Sequence, residues 1–162
     1  MKQRLLGKHG PMISPIGIGA MSFSNFYGRT SEADSHAILN TALDEGVTHI
    51  DTADIYGQLT SEEVIGSFLA RQGSQRNDMF SIATKAGIAR DADTGKRYFD
   101  NSAAYLESRL DASLTRLGVD HVDLFYVHRR DADTPIEEVA DTLAALVKSG
   151  KTRSFGFSEI AP

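Results

Sequence analysis

Two rhythms alternate along this chain: short apolar runs that end at a polar or charged residue, and longer stretches whose apolar positions fall three and four apart. The opening "RLLGKHGPMIS" places two short pieces around Gly7 and Gly10 and predicts a β-hairpin. "PIGIGA" predicts a first buried strand, with Gly17 and Gly19 permitting close backbone approach. Ala33, Ala37, Ile38 and Ala42 fall at helical spacing between Thr30 and Glu45, and Gly46 supplies the stop. "VTHID" predicts the second strand. Thr60 and Glu63 form a capping-box pattern ahead of Val64, Ile65, Phe68 and Leu69, the buried stripe of a second helix.

The beat continues to the end. "MFSIATK" predicts a third strand closed by Lys85, and Leu106, Leu110, Leu114 and Leu117 mark a helix that stops at Gly118. "HVDLFYVH" predicts a fourth strand closed by His128. Thr134, Pro135 and Glu137 predict a helix start by capping box, with the proline at its first position. Ile136, Val139, Ala140, Leu143, Leu146 and Val147 are its stripe, Gly150 ends it, and "TRSFGFSE" predicts a fifth strand. The polar stretch "RDADTGKRYFD", residues 90 to 100, predicts a mobile loop. Short strands alternating with helices predict a parallel α/β sheet.

Composition narrows the class. A chain of 162 residues suits one domain with a sizeable core. The net charge of −5 argues against a nucleic-acid partner, which calls for a clustered basic face. The chain has no cysteine, which excludes disulfides and thiolate metal sites. "MKQRLLGKHGP" lacks the apolar core of a secretory signal, and no stretch reaches the ~20 apolar residues of a membrane span. A soluble cytoplasmic protein is the expectation.

The ends of the strands carry the chemistry. In parallel β/α folds, ligands sit at the carboxyl ends of the strands. Three successive strands here end in ionisable groups: Asp51 (followed by Tyr56 in "HIDTADIYG"), Lys85 and His128. One such ending reads as an ordinary strand exit or cap; three of complementary chemistry predict an active site.

"GIGAM", "HIDTADIYG", "ATKAG", "LFYVHRRD" and "GKTRSFGFSE" resemble, in order and spacing, the signatures of the aldo-keto reductase superfamily, over nearly the whole chain. "MSFSNFYG", "HRRDADTPIEE" and the closing "SEIAP" are similar to a subgroup of bacteria and plants. The resemblance implies a (β/α)8 TIM barrel with an N-terminal hairpin plugging its bottom. It also implies NADPH as cofactor, aldehyde or ketone carbonyls as small-molecule substrates, and no metal. It assigns a catalytic tetrad of Asp51, Tyr56, Lys85 and His128. Hydride transfer to a carbonyl builds negative charge on oxygen, and that oxygen needs a proton. A phenol is a weak acid near neutral pH, and a neighbouring ammonium stabilises its phenolate. Lys85 would play this part, oriented by Asp51, while His128 would hydrogen-bond the carbonyl oxygen and aim it at Tyr56.

The resemblance further places Gly19, Ala20 and Met21 along the nicotinamide ribose and pyrophosphate, Asp51 near that ribose, and Ser158 on the carboxamide. Glu159 stands where many family members carry asparagine, and a plain strand exit is the other reading of both residues. Phe23, Phe26 and Tyr27 are candidates to line an apolar substrate pocket or to pack their own loop. Arg129 is a candidate substrate contact; with Arg130 it would attract an acidic group or form a solvated rim.

A complete barrel takes about 250 residues, and the pattern here supplies five strands and four helices. Residues 1–162 therefore read as a single domain that lacks the later strands, where such barrels hold phosphate. Three readings follow: the N-terminal part of a reductase, a partial barrel acting as a binding or scaffold module, or an inactive relative. Open edges at "PIGIGA" and "TRSFGFSE", with Phe155 and Phe157 short of cover, predict self-association of a polypeptide of this length.

Overall fold

The apolar runs pair side by side in the order in which they occur. The structure, a computed structural model, describes residues 1–8, 10–58, 60–73 and 78–159. His9, at the tip of the expected hairpin, and residues 160–162 of the closing motif lie outside the described residues. β3 (Ile18–Gly19), β4 (His49–Asp51), β5 (Ser81–Ala86), β8 (Leu124–Val127) and β9 (Phe155–Phe157) form one parallel sheet in that spatial order. β1 (Arg4–Leu5) and β2 (Met12–Ile13) form the antiparallel hairpin. Reciprocal bonds between Ser14 and Thr48, 3.0 and 2.9 Å, anchor its exit at the N-terminal end of β4. The hairpin thus attaches at the end of the sheet opposite Asp51.

Four helices cover one face: α1 (Glu32–Asp44), α2 (Thr60–Ala70), α3 (Ala103–Leu117) and α4 (Ile136–Lys148). Strand side chains alternate between faces. The register aligns Ile18, Ile50 and Ile82 in one row. Ile50, Ile82, Phe125 and Val127 meet the helical stripes Leu39, Val64, Phe68, Leu106, Leu110, Val139 and Leu143 in one buried cluster. Each fully buried Leu, Ile or Phe contributes roughly 1.5–3 kcal/mol. The other parity carries Asp51, Lys85, Tyr126, His128 and Ser158. Gly66 lets α2 lie against α3, since a Cβ there would meet the Arg116 carbonyl oxygen at 2.0 Å. β3 and β9 have no neighbour on their outer sides among the described residues; Phe155 is 39 % exposed and Phe157 only partly packed on the core.

Several expected local features take another form. Residues 90 to 100 are not an irregular loop: β6 (Ile88–Arg90) and β7 (Arg97–Phe99) pair antiparallel around a tight turn. Asp91 holds that turn by accepting from the Thr94 backbone N–H and hydroxyl at 2.8 and 2.7 Å. Thr60 is already the first residue of α2 and donates its hydroxyl to the Gly57 carbonyl at 2.7 Å. Pro135 occupies the N-cap of α4 rather than its first helical position, without a side-chain cap, because the Thr134 hydroxyl donates to Asp131 instead. The capping box forms at α1, between Ser31 and Asp34.

Candidate active site

The Lys85 side chain leaves β5 on the face away from the helices and is 8 % exposed. Its ammonium touches three groups: the Asp51 carboxylate across the β4–β5 pair, the Thr52 carbonyl at 2.8 Å and the Tyr56 hydroxyl at 3.4 Å. It also lies over the rings of Tyr56 and Tyr126, 5.2 and 5.9 Å from their centroids, a cation–π arrangement. The His128 ring meets Tyr56 edge to face, with centroids 5.7 Å apart. The four residues assigned to catalysis by the sequence thus stand together at the C-terminal ends of β4, β5 and β8.

The loop that carries Tyr56 is fixed by the sheet. Thr52 N–H donates to Ala83 O at 2.9 Å and Asp54 N–H to Lys85 O at 3.0 Å, which carries the β4–β5 ladder beyond Asp51. Gly57 is required twice over: its φ is +62°, and a Cβ would come within 2.4 Å of the Ser24 Cβ. Tyr56 is thereby pressed toward the 3-10 turn Ala20–Ser24.

Burial sets the local electrostatics. His128 is pushed down to about 4, first by burial and then by the positive charges of Lys85 and Arg129, so the imidazole is neutral at pH 7. Its Nδ1 is buried without a hydrogen-bond partner among the described residues. Asp54, three residues beyond Asp51, is 1 % exposed and accepts from Arg109 Nε at 2.7 Å. Burial still raises its carboxyl to about 6, against the pull of Arg109.

A cleft of about 360 Å³ opens above Tyr56 and His128, lined in part by Met21, Phe26, Ile88 and Arg129. Of the aromatics considered for it, only Phe26 reaches it. Phe23 is 2 % exposed and packs in the core beneath the 3-10 turn, so the expected substrate contact is corrected. Tyr27 is 76 % exposed, packs edge-on to Phe26 and lies outside the cleft. Arg129 lines the cleft; it also donates to the His128 carbonyl at 2.7 Å and pairs with Glu159 at 2.5 Å.

The residues expected along the cofactor fall at two places. Gly19 pairs in register with Asp51, and Ala20 is fully buried, its carbonyl accepting from Ser61 Oγ at 2.8 Å. That hydroxyl also meets Thr52 Oγ1 at 2.9 Å, tying the Ala20 turn to the strand exit below Lys85. Ser158 continues β9, its N–H donating to Val127 O at 2.9 Å, with its hydroxyl 3.5 Å from Arg129. Glu159 is exposed, in a left-handed conformation at φ +52°. No cluster of His, Asp and Glu suited to a metal ion occurs among the described residues, and no helix among them is long and apolar enough to cross a membrane.

Sequence reasoning missed the buried carboxylates Asp54 and Glu62, and Thr52, whose carbonyl holds Lys85. Glu62 is fully buried, bonded to Thr84 Oγ1 at 2.5 Å and to Arg116 at 2.6 Å. A sequence signal existed for two of them: Thr52 and Asp54 lie inside the same motif as Asp51 and Tyr56.

Residues 15–162 match the model of the Aldo/keto reductase family. One relative, the NADP(+) aldo-keto reductase yakc of Schizosaccharomyces pombe, is 41% identical over 147 residues, which are 91% of this chain and 43% of that protein. The L-glyceraldehyde 3-phosphate reductase of Escherichia coli K12 is 38% identical over 100% of this chain and 46% of its own length. Among solved structures, the holo form of aldo-keto reductase AKR11C1 from Bacillus halodurans matches with a TM-score of 0.86 at 32% identity, over 100% of this chain and 51% of that one. The glycerol dehydrogenase AKR11B4 from Gluconobacter oxydans matches at 0.81 and 32% identity, over 99% of this chain and 49% of that one. The chain spans about half the length of these proteins. It belongs to the aldo/keto reductase family, and its five parallel strands and four helices are part of a (β/α)8 barrel.

Proposed function

We propose that this member of the aldo/keto reductase family carries the catalytic groups of an NADPH-dependent oxidoreductase that reduces aldehyde or ketone carbonyls to alcohols, with Tyr56 as proton donor. The observation that carries the reading is the Lys85 ammonium, shared among Asp51, the Thr52 carbonyl and the hydroxyl of Tyr56, which lines an open cleft. The name of the Schizosaccharomyces pombe relative supports NADP(H) as the cofactor, and that of the Escherichia coli relative supports an aldehyde substrate.

The residues present fit such a cofactor in their donor chemistry. Asp51 is 38 % exposed, so its carboxylate is reachable by a ribose hydroxyl. Ser158 supplies a hydroxyl, and Glu159 an acceptor, for a carboxamide beside the sheet face that holds Lys85. The backbone of Gly19, Ala20 and Met21 would run along the ribose and pyrophosphate. When bound, the cofactor supplies the hydride that reaches the carbonyl carbon.

The chain's own residues handle the oxygen. Neutral His128 hydrogen-bonds the carbonyl oxygen and orients it toward Tyr56. The phenolic proton of Tyr56 passes to that oxygen as negative charge builds on it, giving the alcohol. Lys85, paired with Asp51, stabilises the resulting phenolate until solvent returns a proton.

A protein carrying this chain is expected to oxidise NADPH when given simple aldehydes, followed by loss of cofactor absorbance. Tyr56→Phe should lower turnover by about 10²–10⁴-fold. Near-normal turnover in that variant would remove Tyr56 from the role of proton donor.

A further inference from the structure

The cleft above Tyr56 has an unbalanced charge. Its lining contains Arg90, Arg97 and Arg129 and no aspartate or glutamate, in a chain whose net charge is −5. Arg129 has its partners in Glu159 and the His128 carbonyl. Arg90 and Arg97 do not: among the described residues neither has a carboxylate oxygen within ion-pair distance. Arg90 makes one long bond, 3.4 Å, to the Gly95 carbonyl. The nearest acid of the hairpin, Asp91, is spent on Thr94 in the turn.

The two arginines are also direct cross-strand partners on β6 and β7. Like charges placed opposite each other on a two-stranded ribbon destabilise it. Yet the ribbon is held firmly to the site. It follows Lys85 by a few residues, Asp100 N–H donates to Gly87 O at 3.1 Å, and the Tyr105 hydroxyl donates to Ile88 O at 3.3 Å. Two arginines in direct cross-strand register therefore line a cleft that also contains Tyr56 and His128. An anion bridging them would turn the repulsion into two charge-assisted contacts.

We propose that Arg90 and Arg97 clamp the phosphate of a short phosphorylated carbonyl substrate, so that the cleft selects phosphate-ester aldehydes over their neutral counterparts. The inference rests on the carbonyl-reductase reading and adds the substrate class. A phosphate monoester matches the pair better than a carboxylate, because it carries up to two negative charges and three acceptor oxygens. The cleft's positive lining in an acidic protein would also steer such a substrate inward.

Two measurements test it, one without turnover. Calorimetric titration of a protein carrying this chain with glycerol 3-phosphate, with glycerol, inorganic phosphate and glycerate as controls, should show the phosphate ester binding about 10–100-fold tighter than glycerol. The Arg90→Gln/Arg97→Gln double variant should lose that preference, and Arg90→Lys/Arg97→Lys should keep part of it, since lysine retains the charge without the fork. Inorganic phosphate binding as tightly as the ester would show a free-anion site and overturn the substrate assignment, as would equal binding of glycerate. In the kinetic arm, kcat/KM for glyceraldehyde 3-phosphate over that for glyceraldehyde should exceed about tenfold and collapse toward one in the double glutamine variant. A ratio that survives in that variant, or a loss of NADPH affinity in place of ester affinity, would overturn the clamp. Failure to reduce either aldehyde would instead count against the carbonyl reading, and the titration would still decide the clamp.

Discussion

Thr84 and Lys85 are consecutive residues of β5, and each serves a pair of opposite charges. On the helical side, Thr84 bonds Glu62, which pairs with Arg116. Glu62 is 0 % and Arg116 12 % exposed, sealed between the sheet, α2 and α3. On the other side, Lys85 pairs with Asp51, and here the carboxylate is 38 % exposed. The chemical types are the same; access differs. Burial of a charge pair is thus no sign of reactivity by itself. What separates the two is an open side and a phenol within reach of the cation. The closed pair has a mechanical part: it joins α2 and α3 to the strand from which Lys85 emerges.

Breaking the closed pair should have the largest effect, on stability. Glu62→Ala leaves Arg116 buried without its partner and should cost about 3–5 kcal/mol of unfolding free energy. Urea denaturation measures it, and a loss below ~1 kcal/mol would mean that the pair is as weakly coupled as a surface one.

Breaking the open pair should act on chemistry instead. Lys85→Met should lower carbonyl reduction by about 10²–10³-fold, with a smaller change in cofactor affinity. Asp51→Asn should act in the same direction more mildly, because the ammonium remains. Steady-state rates beside a fluorescence titration of the cofactor separate the two, and equal losses in both would make Lys85 a plain cofactor contact.

The smallest expected effect concerns pH. Burial acts on both His128 and Asp54, and because their charged forms have opposite signs it moves them in opposite directions. His128 titrates near 6.5 when unfolded and near 4 when folded, so the unfolded chain binds the extra proton and stability falls on acidification through that window. Asp54 moves from 3.8 to about 6, so the folded protein keeps a proton the unfolded chain has released, and stability falls as pH rises from 3.8 to 6. The two slopes oppose each other where the windows overlap. Asp54→Asn should therefore lose stability more steeply than the parent on going from pH 6 to 4. His128→Asn should lose it less steeply, or gain. His49, also pushed down by burial, adds the sign of His128 to both variants. Thermal midpoints across this range decide, and parallel curves for the two variants would refute the assignment.

The open pair was legible in the sequence and the closed one was not, for a physical reason. An ionisable residue that ends an apolar strand stands out against its own neighbours, as Asp51, Lys85 and His128 do. Glu62 sits in the first turn of a helix, where a carboxylate is ordinary. Its partner Arg116 is 54 positions away, so only the packing of α2 on α3 joins them. Asp54 and Arg109, 55 positions apart, were hidden in the same way. Strand order and helical stripes followed from periodicity, which packing respected at Leu106, Leu110 and Leu143. The β6–β7 ribbon was obscured because its polar residues masked an alternation that only pairing reveals. Phe23 misled for the converse reason: an aromatic in a polar stretch reads as a surface contact until the 3-10 turn folds it inward.

The extension of the β4–β5 ladder through Thr52 and Asp54 has a consequence for dynamics. Loops at ligand sites commonly open at little cost, independently of the elements that carry them. Here the backbone just ahead of Tyr56 shares its hydrogen bonds with the central strand, so the segment can detach only when part of the sheet detaches with it. Its amide protons are expected to exchange in the same cooperative unit as those of β5. The conformational entropy of holding the phenol beside the ammonium is then lost once, when the chain folds, and need not be lost again each time a substrate arrives.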